Sequence, residues 1–175
     1  TPTIQIYDYR SALNLSRSKI SLNNHVISFL RKGTKEVLGG DKAVKLSDKQ
    51  FLLMKSGNCL MTETISSEES LYRSILLFFK DEMIIEFLER HKINLASTGK
   101  ANRFYVFNYD PFLNHFVGGL EQLLAFDSQT KHNLLKTKFE ELLLYLAHQK
   151  GVDFLQGLIQ TNSNITHRLI NVVEN

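Results

Sequence analysis

Apolar positions along the chain follow two rhythms. Up to Phe79 they fall in short runs bounded by turn-forming residues; from Asp81 they recur every three or four positions. The most informative early stretch is 51–63, FLLMKSGNCLMTE. An apolar run of four, Phe51 to Met54, suits a strand buried on both faces. Lys55-Ser56-Gly57-Asn58 supplies turn chemistry, because Gly and Asn tolerate positive φ, and alternation resumes from Cys59. The stretch predicts two strands joined by a tight turn. Further strands are predicted over 4–9, 25–31, 35–38, 43–46 and 72–79, with Gly39-Gly40-Asp41-Lys42 a strong hairpin signal. Residues 13–24 are polar and irregular and predict none. Short strands at this spacing point to an antiparallel sandwich or barrel.

The period then changes. A helix is predicted over 81–91, with Asp81 as a plausible N-cap, and one more strand over 104–108. Asp110-Pro111 places an acid at an N-cap and proline at the first helical position. The helix it opens runs to about Phe126, with Leu113, Phe116, Val117, Leu120, Leu123 and Leu124 on one stripe. Gly118 and Gly119 inside it cost roughly 1 kcal/mol each relative to Ala, which would make sense if another element packed closely there. A second helix over 131–149 presents Leu135, Phe139, Leu142 and Leu146 at spacings of four, three and four, and Gly151 stops it. A short helix follows over 152–160. Another opens at Ile165 with Leu169, Ile170 and Val173 on one stripe, and it reads as the entry to a further domain.

Composition is that of a globular protein, 43% hydrophobic and 22% charged, which argues against disorder as the main reading. No apolar run approaches the ~20 residues that span a bilayer, and no signal-peptide pattern is visible. Cys59 is the only cysteine, so neither an internal disulfide nor a cysteine-built zinc cluster is available, and a cytoplasmic setting fits. Charge is uneven: residues 1–80 carry 12 Lys and Arg against 7 Asp and Glu, whereas 81–175 carry 9 against 11. The basic excess (Arg31, Lys32, Lys35, Lys42, Lys45, Lys49, Lys55) lies near predicted turns and strand ends. It reads either as lysine protection of sheet edges or as a nucleic-acid surface, though one without interleaved aromatics.

Catalytic chemistry finds little support. The β half holds one histidine, His25, and the other five fall on helices or helix ends, so no metal is expected. His25 faces a barrel mouth or is a satisfied core position. Cys59 reads as a small buried hydrophobe; no nucleophile elbow or phosphate loop occurs, and no cofactor is expected. Leu134, Leu135, Phe139, Leu142, Leu143, Tyr145 and Leu146 make more than one apolar face. Either the helix is sandwiched within the chain, or Leu135, Phe139, Leu142 and Leu146 form a homodimer contact.

HVISFLRKG (25–33), FLLMKSGNCLMTE (51–63), YRSILLFFKDEMIIEFLERH (72–91), FEELLLYLA (139–147) and ITHRLINVVEN (165–175), in this order and spacing, resemble the N-terminal half of AraC-type transcriptional regulators. Within them the likeness is to the subgroup that includes ExsA. The resemblance implies an α+β fold, an antiparallel cupin-like β-barrel or jelly roll followed by an antiparallel helical pair. It divides the chain into a barrel (1–80), a helical dimerisation part (81–161), and a linker with the start of a helix-turn-helix DNA-binding half (162–175). It implies a non-enzymatic, effector-sensing and dimerising domain whose partners are a second copy, a small-molecule effector or regulatory protein, no membrane, and DNA only through the C-terminal half. If the barrel holds a pocket, His25, Ile27, Phe29, Tyr72 and Ser74 are candidate lining residues, the opposite strand parity being equally open. A free-standing cupin that binds or turns over a small molecule is the alternative.

Overall fold

The computed structural model describes residues 4–94 and 102–159. Two antiparallel sheets face one another. The first has the order β1 (Ile4–Ser11), β8 (Tyr72–Phe79), β3 (His25–Lys32), β6 (Gln50–Met54), β9 (Phe104–Asn108). The second has the order β2 (Leu15–Leu22), β7 (Gly57–Thr64), β4 (Thr34–Gly39), β5 (Lys42–Leu46). Among the described residues four helices follow the strands in the chain or interrupt them: α1 (Asp81–Arg90), α2 (Pro111–Leu123), α3 (Ser128–Lys150) and α4 (Asp153–Ile159).

The helices cover the outer face of the five-stranded sheet, so that sheet is the middle of three layers. One core lies between the sheets and includes Val26, Leu30, Val37, Leu52, Met61 and Tyr72. The other lies between the five-stranded sheet and the helices, where Phe29 meets Phe116 and Phe79 meets Phe139 with ring centroids 6.0 and 4.9 Å apart. A strand buried on both faces gains nothing from alternating polarity. That is why β6 and β8 read as continuous apolar runs.

Two expectations about strands fail for identifiable reasons. Residues 51–63 contain two strands, but they are not a hairpin. β6 pairs with β3 and β9 in one sheet, while β7 pairs with β2 and β4 in the other. Lys55 and Ser56 carry the chain across, and Gly57 takes φ +135° at the crossing. The second failure is β2, in the stretch read as irregular. Its register shifts between Leu15 and Ser18, and Arg17 takes φ +44°, so a bulge breaks the two-residue period. By contrast, the Gly39–Lys42 hairpin forms with those two residues paired and Gly40 at φ +60°.

Helix starts divide similarly. Asp110 caps α2, its carboxylate accepting from the Leu113 N–H at 2.8 Å, and its other oxygen accepts from the Tyr145 hydroxyl on α3. Asp81 is the first residue of α1 rather than its N-cap, which is Lys80. The glycine pair in α2 marks no close approach. A Cβ on Gly118 would meet nothing within 4 Å, and on Gly119 only the flexible end of Lys138 at 3.0 Å. The helix expected over 165–173 lies outside the described residues.

Gly33 is the glycine the fold depends on. It sits at φ +89°, and a Cβ there would lie 2.3 Å from the Thr64 carbonyl oxygen and 3.0 Å from the Tyr72 ring. Backbone strain and a backbone clash add, so Gly33→Ala is expected to cost at least about 2 kcal/mol. A urea midpoint unchanged from the unmodified chain would contradict that placement.

Candidate functional site

Two regions hold the chemistry. The first lies between the sheets. On β4 the residues that face inward alternate as Lys35, Val37 and Gly39, and on β7 as Cys59, Met61 and Glu63; Lys35 and Glu63 are cross-strand partners. The Lys35 ammonium donates to the Glu63 carboxylate at 3.2 Å and to the Tyr72 hydroxyl at 3.4 Å. Lys35 is 3% exposed and Glu63 5%. Burial pushes the Lys35 ammonium below the usual lysine range, with the Glu63 charge opposing. Burial also pushes the Tyr72 phenol up, and Glu63 adds to it. Beside them Ser28 and Ser74 share a hydrogen bond of 2.6 Å, and Tyr9 packs edge-on to Tyr72 at 5.9 Å.

Of the five candidate pocket residues, only Tyr72 and Ser74 lie between the sheets. Ile27 and Phe29 belong to the core under the helices. His25 is buried at the end of the barrel, where it accepts from the Ser56 N–H at Nδ1 (3.0 Å) and so donates from Nε2 to Asp81 (2.5 Å). It is a satisfied core histidine that ties β3 to the sheet crossing and to α1. On β3 the opposite parity, Val26, Ser28 and Leu30, faces the barrel interior. Cys59 is buried, and burial pushes its thiol up, as expected of a small hydrophobe.

The basic residues of the β half also divide. Lys42, Lys45 and Lys49 are exposed, Arg31 pairs with Glu121 at 3.0 Å, and Lys32 pairs with Glu69. Lys35 and Lys55 are interior. The Lys55 ammonium donates to the Gly157 carbonyl of α4 at 2.8 Å, and burial lowers its pKa against the opposing charge of Asp81. Residue-type counting places every lysine at a surface. The parity of 35 with Val37, and of 63 with Met61, was the available signal for the buried pair.

The second region is the outside of α2 and α3. Leu135, Phe139, Leu142 and Leu146, the stripe expected at a dimer contact, are at most 2% exposed and pack within the chain against α2, α4 and β1. They are core, so a contact between protomers has to use other side chains. Those exist: Leu144 is 46% exposed, Phe112 39% and Leu134 38%. Phe112 stacks on Tyr145 at 4.1 Å, and with Leu144 and His148 they line an open groove of about 540 Å³.

An antiparallel two-sheet barrel of cupin-like form with a helical pair on one face defines a class, the regulatory domain of AraC-type transcription regulators. Residues 25–157 match the ExsA N-terminal regulatory domain, most of the chain, and the chain belongs to that family. ToxT from Vibrio cholerae, as an apo K231A variant, superposes at TM-score 0.60 and 14% identity, over 83% of this chain and 55% of that one. ToxT with a bound unsaturated fatty acid does so at TM-score 0.52 and 14% identity, over 85% and 55%. The AraC-like transcriptional activator CuxR matches at TM-score 0.50 and 13% identity, over 80% and 51%. The chain thus spans little more than half the length of these solved relatives, and at such identities the likeness is one of fold. No curated protein sequence matches it. Among the described residues, no helix is long and apolar enough to cross a membrane.

Proposed function

We propose that this regulatory domain joins two copies of a cytoplasmic transcription regulator through the outer face of α2 and α3, and that it performs no catalysis. The observation that carries the reading is that α3 is apolar on two sides. Its 23 residues run about 35 Å. One side is used up inside the protomer, and Leu134, Leu144 and the neighbouring Phe112–Tyr145 stack remain outside. Exposed apolar surface of this kind on a helix pair is the raw material of an isologous contact. DNA contact is assigned to the part of such regulators that this chain does not span, since it covers little more than half of its solved relatives.

Sensing is assigned to the barrel. Tyr72 and Ser74, joined by Ser28, Lys35 and Glu63, are the polar groups an effector would engage between the sheets, and the fatty acid held by ToxT supports a small-molecule effector over a purely protein partner. The test uses the full-length regulator. Leu144→Glu places a charge on a side chain already half in water, so the fold survives. Cooperative occupancy of paired DNA half-sites is expected to fall about tenfold or more, with unchanged circular dichroism. Undiminished cooperativity would overturn the reading.

A further inference from the structure

Between α1 and α3, away from the barrel interior, lies a small notch of about 140 Å³. Its floor is apolar: Met83 and Phe87 from α1 meet Phe139 and Leu143 from α3. Its rim is charged, and the charges differ in what they do. Glu140 is fully engaged, accepting from Arg90 at 2.6 Å and from His91 at 2.9 Å, and the His91 hydrogen bond, then Arg90, holds its carboxyl below the usual range. Glu86 on α1 and Lys136 on α3 are exposed and make no ion pair among the described residues. An apolar floor with one acid and one base on opposing helices, neither paired among the described residues, is a specific combination. A volume near that of a cavity known to accept benzene, about 150 Å³, limits the apolar group to one ring or a branched alkyl chain.

We propose that this notch binds a free amino acid with an apolar side chain. The side chain rests on Phe87 and Phe139, the ammonium faces Glu86, and the carboxylate faces Lys136. Thr137 and Glu140, which wall the notch, also wall the groove of Phe112 and Leu144. A ligand here would therefore sit beside the surface assigned to self-association. Binding itself does not depend on that assignment, and its test is made separately from the oligomeric state.

The experiment follows amide cross-peaks of the ¹⁵N-labelled chain titrated with L-phenylalanine, hydrocinnamate, which lacks the amine, and phenethylamine, which lacks the carboxylate. Saturable shifts confined to residues 83–90 and 136–143 are expected with L-phenylalanine. Each one-headed analogue is expected to bind about two- to fivefold more weakly, the scale of an exposed ion pair. Thr137→Trp, an exposed rim position, fills the notch and should abolish the shifts while leaving the rest of the spectrum in place. Glu86→Gln should weaken L-phenylalanine and leave hydrocinnamate unaffected. The proposal is overturned by no saturable shift up to about 10 mM, by equal binding of the three compounds, or by shifts that persist in Thr137→Trp.

Discussion

Leu142→Glu is expected to unfold this domain rather than convert a dimer into a folded monomer. Leu142 is fully buried in the core shared by α3, the neighbouring helices and the five-stranded sheet. Removing a buried leucine side chain alone costs about 2–5 kcal/mol. The replacement also carries a carboxylate into a site lined by apolar side chains, and burying a charge there costs several kcal/mol more after relaxation. The sum, about 5 kcal/mol or more, is comparable with the whole stability of an ordinary domain, roughly 5–15 kcal/mol. Far-ultraviolet circular dichroism and a urea titration distinguish the outcomes. A cooperatively folded monomer would show that Leu142 is a surface residue in solution and would contradict the packing of α3 described above.

The second large effect is expected at Lys35. Removing one member of a buried ion pair leaves the other charged and unpaired, at a cost of about 3–5 kcal/mol, so Lys35→Met should be severely destabilised through the stranded Glu63. The double variant Lys35→Met/Glu63→Leu removes both charges and should regain most of that loss. A pH dependence follows from the same burial. The folded pKa of Lys35 lies below its unfolded value, about 10.4. In the window between them the unfolded chain binds the extra proton, so stability of the unmodified chain rises with pH through it. The deficit of Lys35→Met should accordingly be larger near that upper limit than at neutral pH. A deficit that shrinks as pH rises would contradict the buried placement of the ammonium.

What the sequence made legible was local. The extent of β8 and β9, the Gly39–Lys42 hairpin and the Asp110-Pro111 helix start each depend on a few neighbouring residues, and each formed as read. The α+β class and the family resemblance followed from the order of such elements. What stayed hidden depends on residues distant in sequence. Turn chemistry at 55–58 is the same whether the flanking strands pair with each other or enter different sheets. That choice is settled by β3 and β9 on one side and β2 and β4 on the other. The Leu135–Leu146 stripe announces burial but not the partner, and α2, α4 and β1 supply that partner within the chain. Strand parity was left open on β3 and β8 because both strands are apolar on two faces, which removes the alternation that would have fixed it. At Lys35 the parity with Val37 pointed inward, but the group that makes its burial tolerable, Glu63, lies on another strand.

The most direct test of the account is the mass of the isolated chain in solution by light scattering across a concentration series, with Leu144→Glu alongside. The unmodified chain is expected to be a dimer that dissociates on dilution, and Leu144→Glu a folded monomer at the same concentrations. An unmodified chain that is monomeric throughout, or a Leu144→Glu variant that dimerises equally well, would contradict self-association through the outer face of α2 and α3.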